Sequence, residues 1–202
     1  MLNGCSPVVD IVSQRLVLRP MPPDFLRAST EGCSAAELSA LIGLRVASEW
    51  LDETDLAALR LGDLRAEPGY APWSVRAVAL RDSGEMIGHT GFHTQPAPDY
   101  LAPYAQDAVE IGYSIYPGHR RRGHGREVLT AMIRWAHVDQ GVARFVASVN
   151  PDNLASCALL ASAGFLRIAS FIDDIDGLEY VMLLDGEPLA RLLAGTGQAA
   201  PY

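Results

Sequence analysis

Arginine and glycine residues are concentrated in one short segment, which lies between a predicted strand and a predicted helix. It reads Arg120-Arg121-Arg122-Gly123-His124-Gly125-Arg126. Glycines at the N-terminus of a helix leave backbone N–H groups accessible, and such groups bind anions. Arginine side chains add charge-assisted hydrogen bonds to the same anion. The segment therefore predicts a binding site for a ligand that carries phosphate groups.

Two widespread nucleotide-binding motifs fit this segment poorly. The triphosphate-binding loop GxxxxGK[ST] needs a Lys followed by Ser or Thr, and neither pair follows these glycines. The dinucleotide-binding pattern GxGxxG starts at Gly123 and Gly125 but has Val128 in place of its third glycine. A nucleotide-binding protein is therefore the disfavoured hypothesis.

Hydrophobic periodicity predicts the elements that position this segment. Strands are predicted at residues 15–19, 73–80, 85–93, 108–116, 144–149, 165–171 and 178–184, and helices at 34–48, 52–66, 123–140 and 153–162. Pro20, Pro22 and Pro23 end the first strand, and residues 186–202 are expected to fray as a flexible tail. This alternation predicts a single α/β domain with a mixed sheet over residues 1–202, and a core that spans residues 13–185.

The composition argues against several classes of protein. The chain has 202 residues, of which 49% are hydrophobic, and this is enough for one domain with a substantial core. A net charge of −8 argues against non-specific nucleic-acid binding. The absence of any apolar run of about 18 residues argues against a membrane span. The scattered cysteines Cys5, Cys33 and Cys157 form no CxxC pair, so neither a disulfide framework nor a zinc site is predicted, and the cytoplasm is the expected compartment.

Two blocks of the sequence resemble the GNAT superfamily of N-acetyltransferases. The cofactor signature of that family is Gln or Arg, two residues, Gly, one residue, then Gly or Ala, and this chain has Arg120-x-x-Gly123-x-Gly125. The second block runs from Asn150 to Ser156 and continues to the Gly164-Phe165 pair. The opening segment, residues 15–19, is similar to the branch that contains the ribosomal-protein N-terminal (alanine/serine) acetyltransferases.

The resemblance implies a fold and a cofactor. The fold is a mostly antiparallel sheet, splayed at its centre and flanked by helices, and the cofactor is acetyl-CoA as acyl donor. Backbone amides of the Gly-Arg segment would hold the pyrophosphate, the end of the preceding strand would pair with the pantetheine arm, and the next helix would add one contact. The implied cofactor-binding residues are Ile115, Tyr116, Arg120, Arg122, Gly123, His124, Gly125, Arg126 and Asn153.

The resemblance also implies the catalytic groups. A glutamate at the position of Glu110 takes the proton of the amine in many relatives, commonly through water. Many relatives place the general acid, a tyrosine, four residues before the Gly-Phe pair, where this chain has Leu160. Ser156 is then the expected protein group that protonates the departing thiolate, with Cys157 or water as alternatives. A backbone N–H near Ile115 or Tyr116 is expected to stabilise the oxyanion.

These observations predict an acetyl-CoA-dependent N-acetyltransferase that moves the acetyl group directly to a primary amine, on a protein N-terminus or a small molecule. The alternative, which Leu160 keeps open, is a non-catalytic acyl-CoA-binding sensor or regulatory module. No metal, nucleic-acid or membrane partner is expected. His89 and His93 share a strand face, but no third ligand has suitable spacing. The resemblance allows a homodimer.

Overall fold

The strands of the computed structural model, which describes residues 8–173 and 177–195, form one eight-stranded sheet. They are β1 (Ile11–Val12), β2 (Leu16–Pro20), β3 (Arg76–Leu80), β4 (Met86–Phe92), β5 (Ala108–Ile115), β6 (Arg144–Val149), β7 (Leu166–Asp173) and β8 (Gly177–Leu184). Their order across the sheet is β1-β2-β3-β4-β5-β6-β8-β7. The β5–β6 ladder is parallel and the other described ladders are antiparallel. The predicted mixed, mostly antiparallel sheet is confirmed.

Helices connect and cover the strands. They are α1 (Pro23–Thr30), α2 (Ala35–Ile42), α3 (Thr54–Ala66), α4 (His124–Gln140), α5 (Leu154–Ala163) and α6 (Gly186–Ala194). Short 3-10 helices lie at Ser48–Asp52, Pro68–Tyr70, Asp99–Leu101 and Pro117–His119. No helix within residues 8–173 and 177–195 is long and apolar enough to cross a bilayer.

Several elements differ from the sequence prediction, among them the short strand β1, which was not predicted. Pro20 is the last residue of β2, and Pro23 begins the unpredicted helix α1, because a proline at the first helical position loses no hydrogen bond there. The helix predicted at 34–48 ends at Ile42, since Gly43 adopts a left-handed φ of 64°. The prediction that residues 186–202 fray was wrong for 186–194, where α6 buries Leu189 and Leu192. The rest of that tail, from 196, lies outside the described residues.

The sheet divides at its centre, as the family resemblance implied. The β5–β6 ladder consists of the pairs Ala108–Arg144, Val109–Phe145 and Glu110–Val146. Beyond Glu110, β5 continues to Ile115, where β4 is its only partner among the described strands, and β6 continues to Val149 while paired with β8. The two strands therefore separate, and residues 111–115 of β5 present an unpaired edge to a gap between the halves of the sheet.

Two layers of helices cover opposite faces of the sheet. On β4, His89 and Phe92 point to opposite faces because side chains alternate along a strand. His89 contacts Trp50, which lies between α2 and α3, at 5.8 Å between ring centroids. Phe92 contacts Trp135 of α4 at 6.1 Å. The layer of α1–α3 therefore covers one face and α4 covers the other, and both Trp50 and Trp135 belong to the packed interior rather than to a substrate platform.

Candidate active site at the divided sheet

The segment between β5 and α4 exposes a run of unpaired backbone donors. Gly123 precedes α4 with a left-handed φ of 80°, and no side chain caps the helix. Arg121 also has a positive φ, 60°, which is uncommon for a residue other than glycine. The backbone N–H groups of residues 121–126 donate to no acceptor in the described part of the chain. Successive free N–H groups at a helix N-terminus form an anion-binding site.

Two of the arginines predicted to bind the cofactor make hydrogen bonds that brace this segment. The Nε of Arg120 donates to the carbonyl of Ile115 at 2.7 Å, and Nη1 of Arg126 donates to Oγ of Ser162 at 3.0 Å. Arg120 thus ties the segment to the end of β5, and Arg126 ties α4 to α5. The Arg122 side chain, by contrast, is exposed beside the free N–H groups.

Arg15, which directly precedes β2, forms hydrogen bonds that anchor the same segment. Arg15 donates from Nη1 to the Arg122 carbonyl at 3.0 Å and from Nε to Oε2 of Glu127 at 2.7 Å. Glu127 also accepts from the backbone N–H of Arg15 and from the hydroxyl of Ser13, each at 2.7 Å. These contacts join the start of β2 to the first turn of α4, and the sequence analysis missed them.

Close packing accounts for the residue types at positions 124 and 125. A Cβ atom at Gly125 would lie 3.0 Å from Cδ2 of Leu159, so glycine lets α4 approach α5. The His124 ring is buried, with Nδ1 3.2 Å from the carbonyl of His119. Burial, with a contribution from the charge of Arg15, lowers the pKa of His124. Its imidazole therefore supports the turn, and a contact with a ligand would come from its backbone N–H.

At the end of β5, backbone atoms rather than side chains face the gap between the two halves of the sheet. The side chains of Ile115 and Tyr116 are buried, and the Tyr116 N–H donates to the carbonyl of Ile87 at 2.8 Å. Of the two backbone N–H groups expected to stabilise an oxyanion, that of Tyr116 is therefore already paired with β4. Because N–H directions alternate along a strand, the N–H of Ile115 points away from β4 and towards the gap.

On the α4 face of the sheet, two hydroxyl groups meet beside the gap. The phenol oxygen of Tyr113 on β5 lies 3.0 Å from Oγ of Ser156 in the first turn of α5. Asn153 caps that helix by accepting a hydrogen bond from the Ser156 N–H at 3.1 Å. Burial raises the pKa of Tyr113, which keeps its phenol protonated. Sequence reasoning missed Tyr113, although strand alternation places it on the face opposite to Glu110.

On the opposite face, Glu110 is buried, with 4% of its surface exposed. Its Oε2 lies 3.3 Å from Nδ1 of His93. Burial by itself raises the pKa of Glu110, but interactions with His93, Ser148 and Tyr100 outweigh burial and lower the pKa to about 2. The carboxylate is therefore ionised at neutral pH, at the point where β5 and β6 begin to separate.

A small cavity lies between α3 and the strands on the Glu110 side. Its volume is about 130 Å³, and Leu56, Arg60, His89, His93 and Gly112 are among its lining residues. A larger cavity of about 420 Å³ lies elsewhere, where β2 meets α1 and α2, and it contains none of the predicted site residues. Among residues 8–173 and 177–195, no group of three or more His, Cys, Asp or Glu side chains could hold a metal ion.

Comparison with known proteins agrees with this geometry. A family model described as an acetyltransferase (GNAT) domain matches residues 15–166. YoaA of Bacillus subtilis (strain 168), described as an uncharacterized N-acetyltransferase, is 31% identical over 155 residues, which cover 77% of this chain and 81% of that protein. The chain spans about half the length of several other curated relatives that it matches, namely 52%, 44% and 51%.

Solved structures share the fold at lower sequence identity. The ribosomal-protein-S5-alanine acetyltransferase of Vibrio fischeri superposes with a TM-score of 0.60 at 15% identity, covering 89% of this chain and 97% of that one. Mycobacterium smegmatis RimJ in complex with CoA-disulfide gives a TM-score of 0.60 at 18% identity, covering 89% and 88%. With a family model matched over most of its length and a divided sheet that reproduces the fold, this chain belongs to the GNAT acetyltransferase family.

Proposed function

We propose that the protein transfers an acetyl group from acetyl-CoA directly to a primary amine, on a protein N-terminus or on a small molecule. The observation that carries this proposal is the run of free backbone N–H groups at residues 121–126, directly beside the unpaired edge of β5. A diphosphate fits the first feature and an extended, amide-containing arm fits the second. Acetyl-CoA contains both chemical groups.

The donor would lie along the loop and the gap. The amides of Arg122, Gly123, His124, Gly125 and Arg126 would hold the pyrophosphate, and the exposed Arg122 guanidinium would add a charge-assisted contact. The pantetheine arm would pair with residues 111–115, and Asn153, exposed at the start of α5, would contact it from the other side of the gap. RimJ, which shares the fold, was solved with CoA-disulfide, and this supports a CoA site here.

The two faces of the sheet would divide the proton transfers. The amine would enter from the α3 side, where Glu110 supplies negative charge for the uptake of its proton. Attack of the amine nitrogen on the thioester carbon gives a tetrahedral oxyanion, to which the Ile115 N–H would donate. The C–S bond would then break, and the thiolate would take a proton from the Ser156 hydroxyl. The phenol oxygen of Tyr113 lies 3.0 Å from Oγ of Ser156 and would hold this hydroxyl in place.

The first experiment compares thermal unfolding with acetyl-CoA, free CoA and ATP, because a ligand bound only by the native state raises its stability. Stabilisation by both CoA species but not by ATP is expected, followed by release of the CoA thiol with members of an amine panel. Stabilisation without thiol release for any amine would favour the acyl-CoA sensor. The absence of stabilisation at about millimolar acetyl-CoA would overturn the proposal. We further infer that the enzyme works in the cytoplasm, where Cys33 and Cys157, both free thiols, stay reduced.

A further inference from the structure

His93 lies between Glu110 and the cavity on the α3 side. It directly follows β4, and its backbone N–H donates to the carbonyl of Glu110 at 2.9 Å. Its Nδ1 lies 3.3 Å from Oε2 of Glu110, and the exposed fractions of the two side chains are 43% and 6%. The imidazole therefore reaches the cavity, whereas the carboxylate behind it is enclosed.

The other ring nitrogen of His93 lies over the β5 backbone at the divided part of the sheet. A Cβ atom built on Gly112 would be 2.9 Å from Nε2 of His93, so the ring occupies space that any other residue at this position would fill. Gly112 is beyond the last residue pair between β5 and β6, at Glu110 and Val146. Nε2 thus faces the stretch of β5 along which the donor would lie.

The chemistry of the two groups assigns them different tasks. A carboxylate that is strongly acidic holds its negative charge but accepts a proton weakly, whereas imidazole exchanges protons near neutral pH. A carboxylate facing Nδ1 favours the tautomer with the proton on Nδ1, which leaves the lone pair of Nε2 free. Glu110 also stabilises the imidazolium that forms after proton uptake.

We propose that Nε2 of His93 accepts the proton of the acceptor amine and that Glu110 is a positioning residue that orients the ring, an inference that rests on the proposed acetyl transfer. As the amine nitrogen bonds to the acetyl carbon, its proton passes to Nε2. The C–S bond then breaks, the thiolate gains a proton from Ser156, and solvent restores the hydroxyl proton. The imidazolium finally releases its proton to water, so the products are an acetamide and free CoA.

The charged and titratable groups around His93 come from four elements, namely β5, α3, the 3-10 helix Asp99–Leu101 and β4. Glu110 belongs to β5, and Arg60 of α3 donates from Nη1 to the His93 carbonyl at 3.0 Å and to Asp63 at 2.9 Å. Tyr100, in the loop before β5, interacts with Glu110 and Arg60, and burial raises its pKa, so its phenol stays protonated. His89, four residues earlier, is paired with Glu53 but lies against Trp50 and Tyr116, with 13% of its side chain exposed.

The first test determines the tautomer of the His93 imidazole, a measurement that needs no amine substrate. Nitrogen NMR of the full chain with bound CoA should show His93 protonated on Nδ1 at neutral pH, and Glu110→Gln should disturb this preference. A ring protonated on Nε2 alone would overturn the proposal. Protein that is not stabilised by CoA would refute the proposed function, whereas CoA binding together with a ring protonated on Nε2 alone would refute only the role of His93.

Kinetic measurements then distinguish a role of His93 in proton uptake from a purely structural role. With an amine that the wild type acetylates, His93→Ala should lower kcat/KM by about 100-fold or more, leave the Kd for CoA within about twofold, and regain rate with added imidazole. Gly112→Ala should reproduce part of the loss by displacing the ring, without removing any titratable group.

A matched control is His137→Ala, which removes a histidine that contacts the Val142 carbonyl at the end of α4 and should keep the wild-type rate. Activity within about threefold of wild type in His93→Ala would overturn the proposal, and so would a loss that imidazole does not restore. Restoration by imidazole of His89→Ala, but not of His93→Ala, would also overturn it and assign proton uptake to His89.

Discussion

The phenol oxygen of Tyr113 and Oγ of Ser156 lie 3.0 Å apart, which joins β5 to the first turn of α5 although the two residues are 43 positions apart in the chain. The Glu110–His93 pair lies on the opposite face of the same strand. If a thioester lies in the gap as proposed, it would have the proposed proton acceptor on one face of the sheet and the proposed proton donors on the other.

Ser156→Ala should lower kcat by about 100-fold, because the thiolate then leaves without a protein donor, and should change the KM for acetyl-CoA little. Tyr113→Phe should lower kcat less, since the serine hydroxyl remains. Steady-state thiol release measures both. Ser170→Ala, an exposed serine on β7, is the control and should match wild type. A wild-type kcat in Ser156→Ala would show that water protonates the thiolate.

Gly123→Ala should weaken CoA binding, because the positive φ of 80° is strained for alanine and the free N–H groups beyond it would move. The strain costs about 1 kcal/mol of stability. Isothermal titration with CoA measures the affinity. Gly141→Ala is a matched control, because Gly141 has a φ of 75° at the other end of the same helix. Equal losses of CoA affinity in the two variants would mean that helix stability, not the loop, controls binding.

Glu127→Gln should raise the KM for acetyl-CoA several-fold and lower the free energy of unfolding by about 1–3 kcal/mol, because it weakens the hydrogen bonds from Arg15 and Ser13 that hold the segment. Kinetics and urea unfolding measure the two effects. Glu187→Gln removes an exposed carboxylate, 3.9 Å from Arg191, and should change neither. A loss of stability with an unchanged KM would show that this anchor does not shape the cofactor loop.

Acid should remove the contribution of Glu110 to stability. Its pKa is lowered from 4.5 to about 2 in the folded chain, so ionised Glu110 stabilises the fold above pH 4.5, and this stabilisation is lost as the pH falls towards 2. Urea midpoints of wild type and Glu110→Gln should therefore differ most at neutral pH and converge in acid. A difference that does not change with pH would mean that the carboxylate is not ionised in the folded protein.

Local patterns in the sequence were sufficient for most elements. The helix predicted at 123–140 is α4, His124–Gln140, because one apolar face and the terminal Gly141 mark its length. Strands β3 and β4 lie within the predicted ranges 73–80 and 85–93, because both segments are rich in residues typical of strands. Helix α1 was missed because its prolines also predict the end of a strand, and α6 was missed because its two buried leucines lie among residues typical of a tail.

The sequence by itself determined that a Gly-Arg turn lies between a strand and a helix, since glycine and capping preferences act within a few residues. It also placed Glu110 on β5 and Ser156 near the start of α5. Only the tertiary structure decided that Arg120 and Arg126 brace the loop, that Tyr113 meets Ser156, and that His93 lies between Glu110 and the cavity. These contacts join distant parts of the chain, so they depend on strand register and on which helix covers each face of the sheet, and neither is encoded in local periodicity.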